Sequence, residues 1–212
     1  MLFFWHDKFV VPILHKKLIY QGTMQNNAWV DGKLVSGDTL FIFPVVGGVP
    51  IFVDIGFDNV SVVFDALRKG EGIDRELGYI RHNWKQIAEI LKEKPESPWI
   101  RFARMISRET GLIVDIAAGL GGGFVPAVLN LNPDARILIS DIDPLVLAAW
   151  KSFLRNKYPY VSYACFDATR MPLRSESVDV VVSSGGFGNI PYNHIALLEA
   201  YRVLRRLSLI HI

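Results

Sequence analysis

Leu112-Ile113-Val114-Asp115-Ile116-Ala117-Ala118-Gly119-Leu120-Gly121 is the stretch that decides the fold of this 212-residue chain. Its apolar first half predicts a short buried strand. The small residues that follow allow the backbone to turn tightly and to approach a ligand. The helix predicted next, to about Leu131, begins with unpaired N–H groups that favour an anionic group. Strand, glycine-rich turn and helix in this order predict the first unit of a parallel α/β sheet.

The same alternation continues towards the C-terminus. Further apolar strands are predicted at 137–140, 161–166 and 178–183, with helices beginning at Asp143 and running from Ile195 to Arg205. Continuously apolar strands that alternate with helices of about ten residues are typical of a doubly wound parallel sheet. Since only four strands can be placed, we expect an incomplete sheet of about four strands.

A smaller β-rich region precedes this sheet. Short β-branched and aromatic runs occupy residues 29–54, and Asp31-Gly32 predicts a hairpin turn between two of them. Two helices follow, one at about 76–94 and one capped by Ser97-Pro98. We therefore expect an N-terminal accessory region at 1–96 and the parallel-sheet domain at 97–206.

Two of the predicted strands end in an acid. Ligands of parallel α/β sheets bind beyond the carboxyl ends of the strands. Asp141, about 20 residues after the glycines, is placed to accept hydrogen bonds from two ribose hydroxyls. Asp167 is suited to receive an exocyclic amine, whereas Asp143, before Pro144, is predicted to cap a helix. Each feature alone is common in ordinary turns, but together with the glycine turn they favour one binding cleft.

The motif from Val114 to Gly121 resembles the first motif of class I S-adenosylmethionine-dependent methyltransferases, most closely the small-molecule (type 11) group. The resemblance covers about residues 97–205, and it implies a Rossmann-like fold with S-adenosylmethionine as cofactor. Ala117 stands where the family most often has glycine. The cofactor-binding residues implied are Asp115, Ala117, Gly119, Gly121, Asp141, Ile142, Asp167, Ala168 and Ser183. In this assignment Ile142 packs on the adenine, and the segment 183–189 lies beside the methyl group.

A dinucleotide is the alternative cofactor. Its G-x-G-x-x-G fingerprint, counted from Gly119, ends at Phe124 instead of glycine. It also gives no role to Asp115 or Asp167. S-adenosylmethionine is therefore the preferred cofactor.

The methyl acceptor is not specified by any motif. The net charge is only +2 without a concentrated basic field, so nothing indicates nucleic acid, and a small molecule is expected. A macromolecule-directed or non-catalytic domain with the same fold is the alternative. Tyr192 and His194 lie near the expected mouth, but each is better explained as a loop residue in contact with solvent, so the catalytic residue is unknown. The single cysteine, Cys165, and the absence of a long apolar run favour a cytoplasmic protein that does not enter a membrane.

Two segments have resemblances of their own. Residues 43–53 are similar to the tail of a zinc-ribbon module that precedes some methyltransferase domains, but they lack its cysteines, so no metal is expected. Residues 207–212 match the translation of a transposon end used in sequencing libraries. They also follow Arg205-Arg206 without a turn residue. We therefore expect a truncated sheet with a non-native tail at 207–212, which would leave the edge of the fourth strand unpaired.

Overall fold

Two β-sheets and six α-helices make up the computed structural model, which describes residues 2–94, 96–121, 123–155 and 157–211. The strands are β1 (Leu18–Gln25), β2 (Ala28–Ser36), β3 (Ile42–Val46), β4 (Val49–Pro50), β5 (Leu112–Asp115), β6 (Arg136–Asp141), β7 (Val161–Cys165), β8 (Val178–Val182) and β9 (Leu204–His211). The helices are α1 (Val60–Lys69), α2 (Asp74–Glu93), α3 (Pro98–Ser107), α4 (Phe124–Leu131), α5 (Pro144–Leu154) and α6 (Asn193–Val203).

The second sheet is parallel and has the order β7-β6-β5-β8-β9. The chain moves outward from β5 to β7 and then returns to the other side of β5 for β8. Loops separate at such a reversal and leave a crevice beyond the carboxyl ends of the strands. The predicted doubly wound parallel sheet is therefore confirmed.

The expected number of about four strands in this sheet is wrong for the described part of the chain. Leu204–His211 forms a fifth strand, β9, which pairs in parallel with β8 and covers the edge expected to be unpaired. This strand is difficult to predict from the sequence because α6 is followed by it without an intervening loop. The change occurs at Leu204, whose backbone is extended with φ −68° and ψ 138°. No glycine or proline marks the boundary. That residues 207–212 are a non-native tail stays a prediction.

The predicted turn at Asp31-Gly32 is also wrong, since both residues lie inside β2. The turn between β1 and β2 is formed by Asn26 and Asn27, with left-handed φ values of 50° and 59°. These values suit a tight two-residue hairpin. Gly32 instead faces Gly22, and a Cβ on Gly32 would lie 2.7 Å from the Cα of Gly22. The close approach of two strands therefore explains the glycine.

Side chains from the N-terminal region complete the core on both faces of the parallel sheet. Ile113 belongs to the core formed with α1 to α5. Val114, which points to the opposite face, packs in a second core with Trp5 and Phe9. The regions 1–96 and 97–206 therefore bury apolar surface against each other.

The antiparallel sheet is fixed to the edge of β7 through the main chain. Ile51 forms a parallel bridge with Cys165, and the N–H of Phe52 donates to the Cys165 carbonyl at 2.8 Å. This contact places the N-terminal sheet beside the carboxyl ends of the parallel strands. Among the described residues, no helix has the length and apolar character needed to cross a bilayer.

Candidate functional site

A cleft of about 240 Å3 lies beyond the carboxyl ends of β5, β6 and β7. Six of the nine predicted cofactor-binding residues line it, namely Ala117, Gly119, Asp141, Ile142, Asp167 and Ala168. Gly186 and the segment 189–191, from the loop after β8, form its other wall. The parallel sheet thus brings together segments that are up to about seventy residues apart, because the same ends of its strands meet at one edge.

The turn after β5 contains two residues with left-handed backbone, Ala117 at φ 50° and Gly119 at φ 56°. Apart from Gly119 and its two chain neighbours, no described residue has an atom within 4 Å of the position that a Cβ on Gly119 would take, so the space above this residue is free for a ligand. Residues other than glycine rarely adopt such values. The φ of Ala117 therefore explains why glycine is the commoner residue in the motif that it resembles.

The main chain of Gly119 is held from two sides. Its N–H donates to Oδ2 of Asp141 at 2.8 Å. Its carbonyl oxygen accepts a hydrogen bond of 2.7 Å from Nε1 of the buried Trp150 on α5. The glycine turn is therefore fixed to both β6 and α5.

Asp141 combines partial burial with two main-chain hydrogen bonds. Besides the bond to Gly119, its Oδ1 accepts from the N–H of Asp143 at 3.0 Å. Burial raises the pKa of Asp141 above its usual value, although these N–H groups oppose the shift. Each carboxylate oxygen keeps a second lone pair, so the side chain can still accept hydrogen bonds from hydroxyls. The carboxylate of Asp143 accepts from the N–H of Leu145 at 2.8 Å, which confirms its predicted role as a helix cap.

Ile142 and Asp167 form the far end of the cleft. Ile142 leaves 60% of its surface exposed there, which is a large apolar surface for a side chain at a strand end. Asp167 accepts from the N–H and hydroxyl of Thr169 at 2.8 and 2.7 Å, and from Arg170 at 3.2 Å. Partial burial raises the pKa of Asp167, but the bonds from Thr169 and Arg170 outweigh it, so its net pKa is lowered. Asp167 is therefore a carboxylate at neutral pH.

Asp115 does not line the cleft. Its side chain is 1% exposed, and neither carboxylate oxygen has a hydrogen-bond partner among the residues that the structure describes. It borders a void of about 10 Å3 that is otherwise lined by apolar side chains such as Phe124 and Val182. Burial, and then the nearby Asp141 carboxylate, raise the pKa of Asp115 to about 8. The alternation along β5 could have indicated this, because Asp115 points to the same face as Ile113.

The other two predicted residues outside the cleft are Gly121 and Ser183. A Cβ on Gly121 would lie 2.3 Å from Nδ2 of Asn83 on α2, so a larger residue at this position requires that amide to move. The hydroxyl of Ser183 is buried without a hydrogen-bond partner in the described part of the chain. A role for Asp115, Gly121 and Ser183 in cofactor binding stays a prediction.

Three residues near the glycine turn belong to no sequence motif. The sequence did not predict that they contact the turn. The amide of Asn83 lies 3.5 Å from the carbonyl oxygen of Leu120. The ring of Trp99 on α3 stands 2.5 Å from the position of a Cβ on Gly123. For Trp150, the sequence pattern predicted only a position on the buried side of its helix and not the hydrogen bond to Gly119. Their contacts depend on how helices pack, which no local pattern encodes.

Tyr192 and His194 lie outside the cleft lining. Both are exposed, and their rings are 6.4 Å apart. Within the described ranges, no group of three or more His, Cys, Asp or Glu residues could hold a metal ion. The structure therefore identifies side chains that could bind a ligand in the cleft, but it does not identify a catalytic base.

Residues 114–212 match a protein family described as a methyltransferase domain. A methyltransferase-like protein of Schizosaccharomyces pombe is 33% identical over 124 residues, which cover 56% of this chain and 45% of that protein. A ubiquinone/menaquinone biosynthesis C-methyltransferase of Methylobacterium nodulans is 28% identical over 94 residues, 44% and 37% of the two chains. A trans-methyltransferase solved in complex with SAH has 21% identity and a TM-score of 0.47, over 72% of this chain and 44% of that one.

Residues 114–212 are therefore similar to a methyltransferase domain, which agrees with the resemblance of the Val114–Gly121 motif to S-adenosylmethionine-dependent methyltransferases. The chain spans less than half the length of the two curated relatives described above.

Proposed function

We propose that this protein transfers the methyl group of S-adenosylmethionine to a small-molecule acceptor. The observation that carries the proposal is the convergence of Gly119, Asp141 and Asp167 on one cleft from three different strand ends. The open space above Gly119 and the exposed surface of Ile142 fit a ligand with a flat apolar ring and a polar chain.

Each residue has a binding role in this proposal. Asp141 accepts the ribose hydroxyls with the lone pairs that Gly119 and Asp143 leave free. Ile142 packs on the adenine, and Asp167 accepts its amino group. The free surface above Gly119 receives the methionine part.

The chain contributes to catalysis by positioning the cofactor and the acceptor relative to each other. When bound, the cofactor supplies a methyl group that its sulfonium already activates. Holding an acceptor in line with that group can be worth about 7–11 kcal/mol. Asp141 and Trp150 serve this purpose by fixing the turn at Gly119 from both sides.

A small-molecule acceptor is supported by two observations. The relatives carry names that include quinone and arsenite methyltransferases, which act on small molecules of different chemistry. The chain has a net charge of only +2, so it lacks the basic field that suits nucleic acid. We also propose a cytoplasmic location, because the single cysteine is buried and unpaired.

Incubation of the chain with methyl-labelled S-adenosylmethionine and a cell extract tests the proposal. Products are separated by molecular mass. We expect label in the small-molecule fraction with the natural chain and with Asp143→Ala, but not with Asp141→Ala. Label in the macromolecular fraction alone would contradict the proposed acceptor class. Binding of the cofactor without transfer into either fraction would favour a non-catalytic domain.

A further inference from the structure

Thr169 contacts the side chain of Asp167 without lining the cofactor cleft. Its N–H and its hydroxyl both donate to Oδ1 of Asp167, at 2.8 and 2.7 Å. Asp167 is part of the cleft lining, whereas Thr169 is half-buried and is not among the described residues that line the cleft. Any effect of Thr169 on a ligand would therefore pass through the carboxylate of Asp167.

The hydrogen bond from the Thr169 hydroxyl is more than the local turn requires. Asp167 caps the short 3₁₀ turn Ala168–Arg170, and the N–H of Thr169 alone satisfies this cap. The hydroxyl adds a second donor to the same oxygen. A half-exposed hydroxyl could equally donate to water, so the cap does not explain this second bond.

The two carboxylate oxygens of Asp167 have unequal capacity to accept a further donor. A carboxylate oxygen has two lone pairs, and the two donors of Thr169 match both pairs of Oδ1. Oδ2 has one described donor, the guanidinium of Arg170, at 3.2 Å and with 59% of the Arg170 side chain exposed. An exposed ion pair of this kind is weak. Oδ2 therefore keeps a lone pair for a donor from a ligand.

A carboxylate held in one orientation is selective for the group that it meets. Asp167 is ionised at neutral pH, so Oδ2 can only accept hydrogen bonds. It attracts the amino group of a 6-aminopurine and repels the oxygen that a 6-oxopurine has at the same place. A carboxylate free to rotate could turn away from that oxygen, whereas the two bonds from Thr169 oppose such a rotation.

We propose that Thr169 is a positioning residue that directs Oδ2 of Asp167 into the cleft and thereby favours a 6-aminopurine over a 6-oxopurine. The inference rests on the proposed function, in which Asp167 accepts the adenine amino group. It adds a residue outside the cleft lining that controls how selective the base pocket is. Loss of the hydroxyl leaves the cleft in place but weakens its preference.

Titration calorimetry of the full chain with S-adenosylhomocysteine and with its deaminated analogue, S-inosylhomocysteine, tests the inference. The natural chain should bind the adenine compound at least about tenfold more tightly, since the analogue loses a hydrogen bond to a charged acceptor. Thr169→Val nearly keeps the size of the side chain but removes the hydroxyl, so it should reduce this affinity ratio at least about threefold. Thr169→Ser, which restores a hydroxyl, should return the ratio to that of the natural chain.

Thr23→Val is the matched control. It also removes a threonine hydroxyl that is hydrogen-bonded, in this case to the Asp31 carbonyl at 3.2 Å, but Thr23 lies in β1. Its affinity ratio should equal that of the natural chain. Should Thr169→Val not fold, Thr169→Ala removes the same hydroxyl with less bulk and must give the same change.

The affinity ratio separates the positioning role from a merely structural one. Weaker binding of both compounds at an unchanged ratio, or an equal fall of the ratio in Thr169→Ser, would overturn the positioning role. Equal binding of the two compounds by the natural chain would overturn it as well. If the folded natural chain binds neither compound, the proposed function is wrong, and the positioning role fails with it.

Discussion

The indole Nε1 of Trp150 donates a 2.7 Å hydrogen bond to the carbonyl oxygen of Gly119. The N–H of the same glycine is held by Asp141, so both polar groups of one peptide segment are engaged by side chains from β6 and α5. A turn fixed in this way loses little freedom when a ligand binds, which lowers the cost of binding. The bond from Trp150 is therefore expected to matter for both stability and affinity.

Substitution of Trp150→Phe should lower both the free energy of unfolding and the affinity for S-adenosylmethionine. The carbonyl of Gly119 would lose its donor, at a cost of about 1–3 kcal/mol in the free energy of unfolding. Urea denaturation measures this cost, and calorimetry measures the accompanying loss of S-adenosylmethionine affinity. Trp84→Phe is the matched control, since the ring of Trp84 also packs against Phe153 but its indole makes no hydrogen bond to the turn among the described residues. An equal loss of affinity in the two variants would contradict the role given to the hydrogen bond.

Asp141→Ala should weaken S-adenosylmethionine binding more than Asp143→Ala. The first variant loses hydrogen bonds to the ribose, each worth about 1.5–3 kcal/mol for a charged acceptor. The second loses a helix cap worth about 1 kcal/mol of stability. Calorimetry and thermal unfolding of both variants separate these effects. Equal affinities, or the reverse order, would exclude the ribose assignment.

Gly119 and Gly121 should respond differently to larger side chains. Gly119→Val places a branched side chain in the free space of the cleft and strains a φ of 56°, so cofactor binding should be lost while the sheet still forms. Gly121→Ala should instead displace the amide of Asn83 and lower the stability of the fold only slightly.

The double variant Gly121→Ala/Asn83→Ala should recover the stability lost in Gly121→Ala. Circular dichroism and denaturation measure the recovery. If Asn83→Ala brings no recovery, the packing explanation for Gly121 is wrong.

The buried Asp115 should make stability depend on pH in the absence of cofactor. The pKa of this carboxyl is about 8 in the folded chain, whereas its ordinary value of 3.8 applies to the unfolded chain. Between these values the folded state binds one more proton, so the free energy of unfolding falls as pH rises, by up to about 1.4 kcal/mol per pH unit. The stabilisation is full below about pH 4 and is lost by about pH 8.

Asp115→Asn should flatten this dependence and be more stable than the natural chain at pH 8. Urea denaturation between pH 5 and pH 8 gives the two curves. Parallel curves would show that Asp115 is not the group responsible.

Local signals in the sequence predicted those features whose cause is local. The caps at Ser97 and Asp143 depend on residues within three positions, and both are present in the structure. The order of apolar strands and helices likewise predicted the parallel sheet. The residues at the ends of β5, β6 and β7 were predicted to meet because the rule for parallel sheets depends only on topology.

Features that depend on distant contacts were not predictable. Gly121 resembles a ligand-binding glycine in sequence, and only the structure shows that the side chain of Asn83 lies against it. The glycine at position 32 suggested a turn. In the structure this glycine lies within a strand, and the facing Gly22 on the neighbouring strand leaves no space for a larger side chain there. The Trp150 bond to the glycine turn joins residues 31 positions apart, so no local pattern could predict it.

Titration calorimetry of the full chain with S-adenosylmethionine, and separately with NAD, tests the central claim most directly. We predict saturable one-to-one binding of S-adenosylmethionine, with a dissociation constant between about 1 μM and 1 mM, the range in which the KM values of enzymes usually fall. Ile142→Asp should weaken it by removing the apolar surface in the cleft. NAD should not compete. Absence of S-adenosylmethionine binding by the folded chain, or binding of NAD that Ile142→Asp abolishes, would contradict the account.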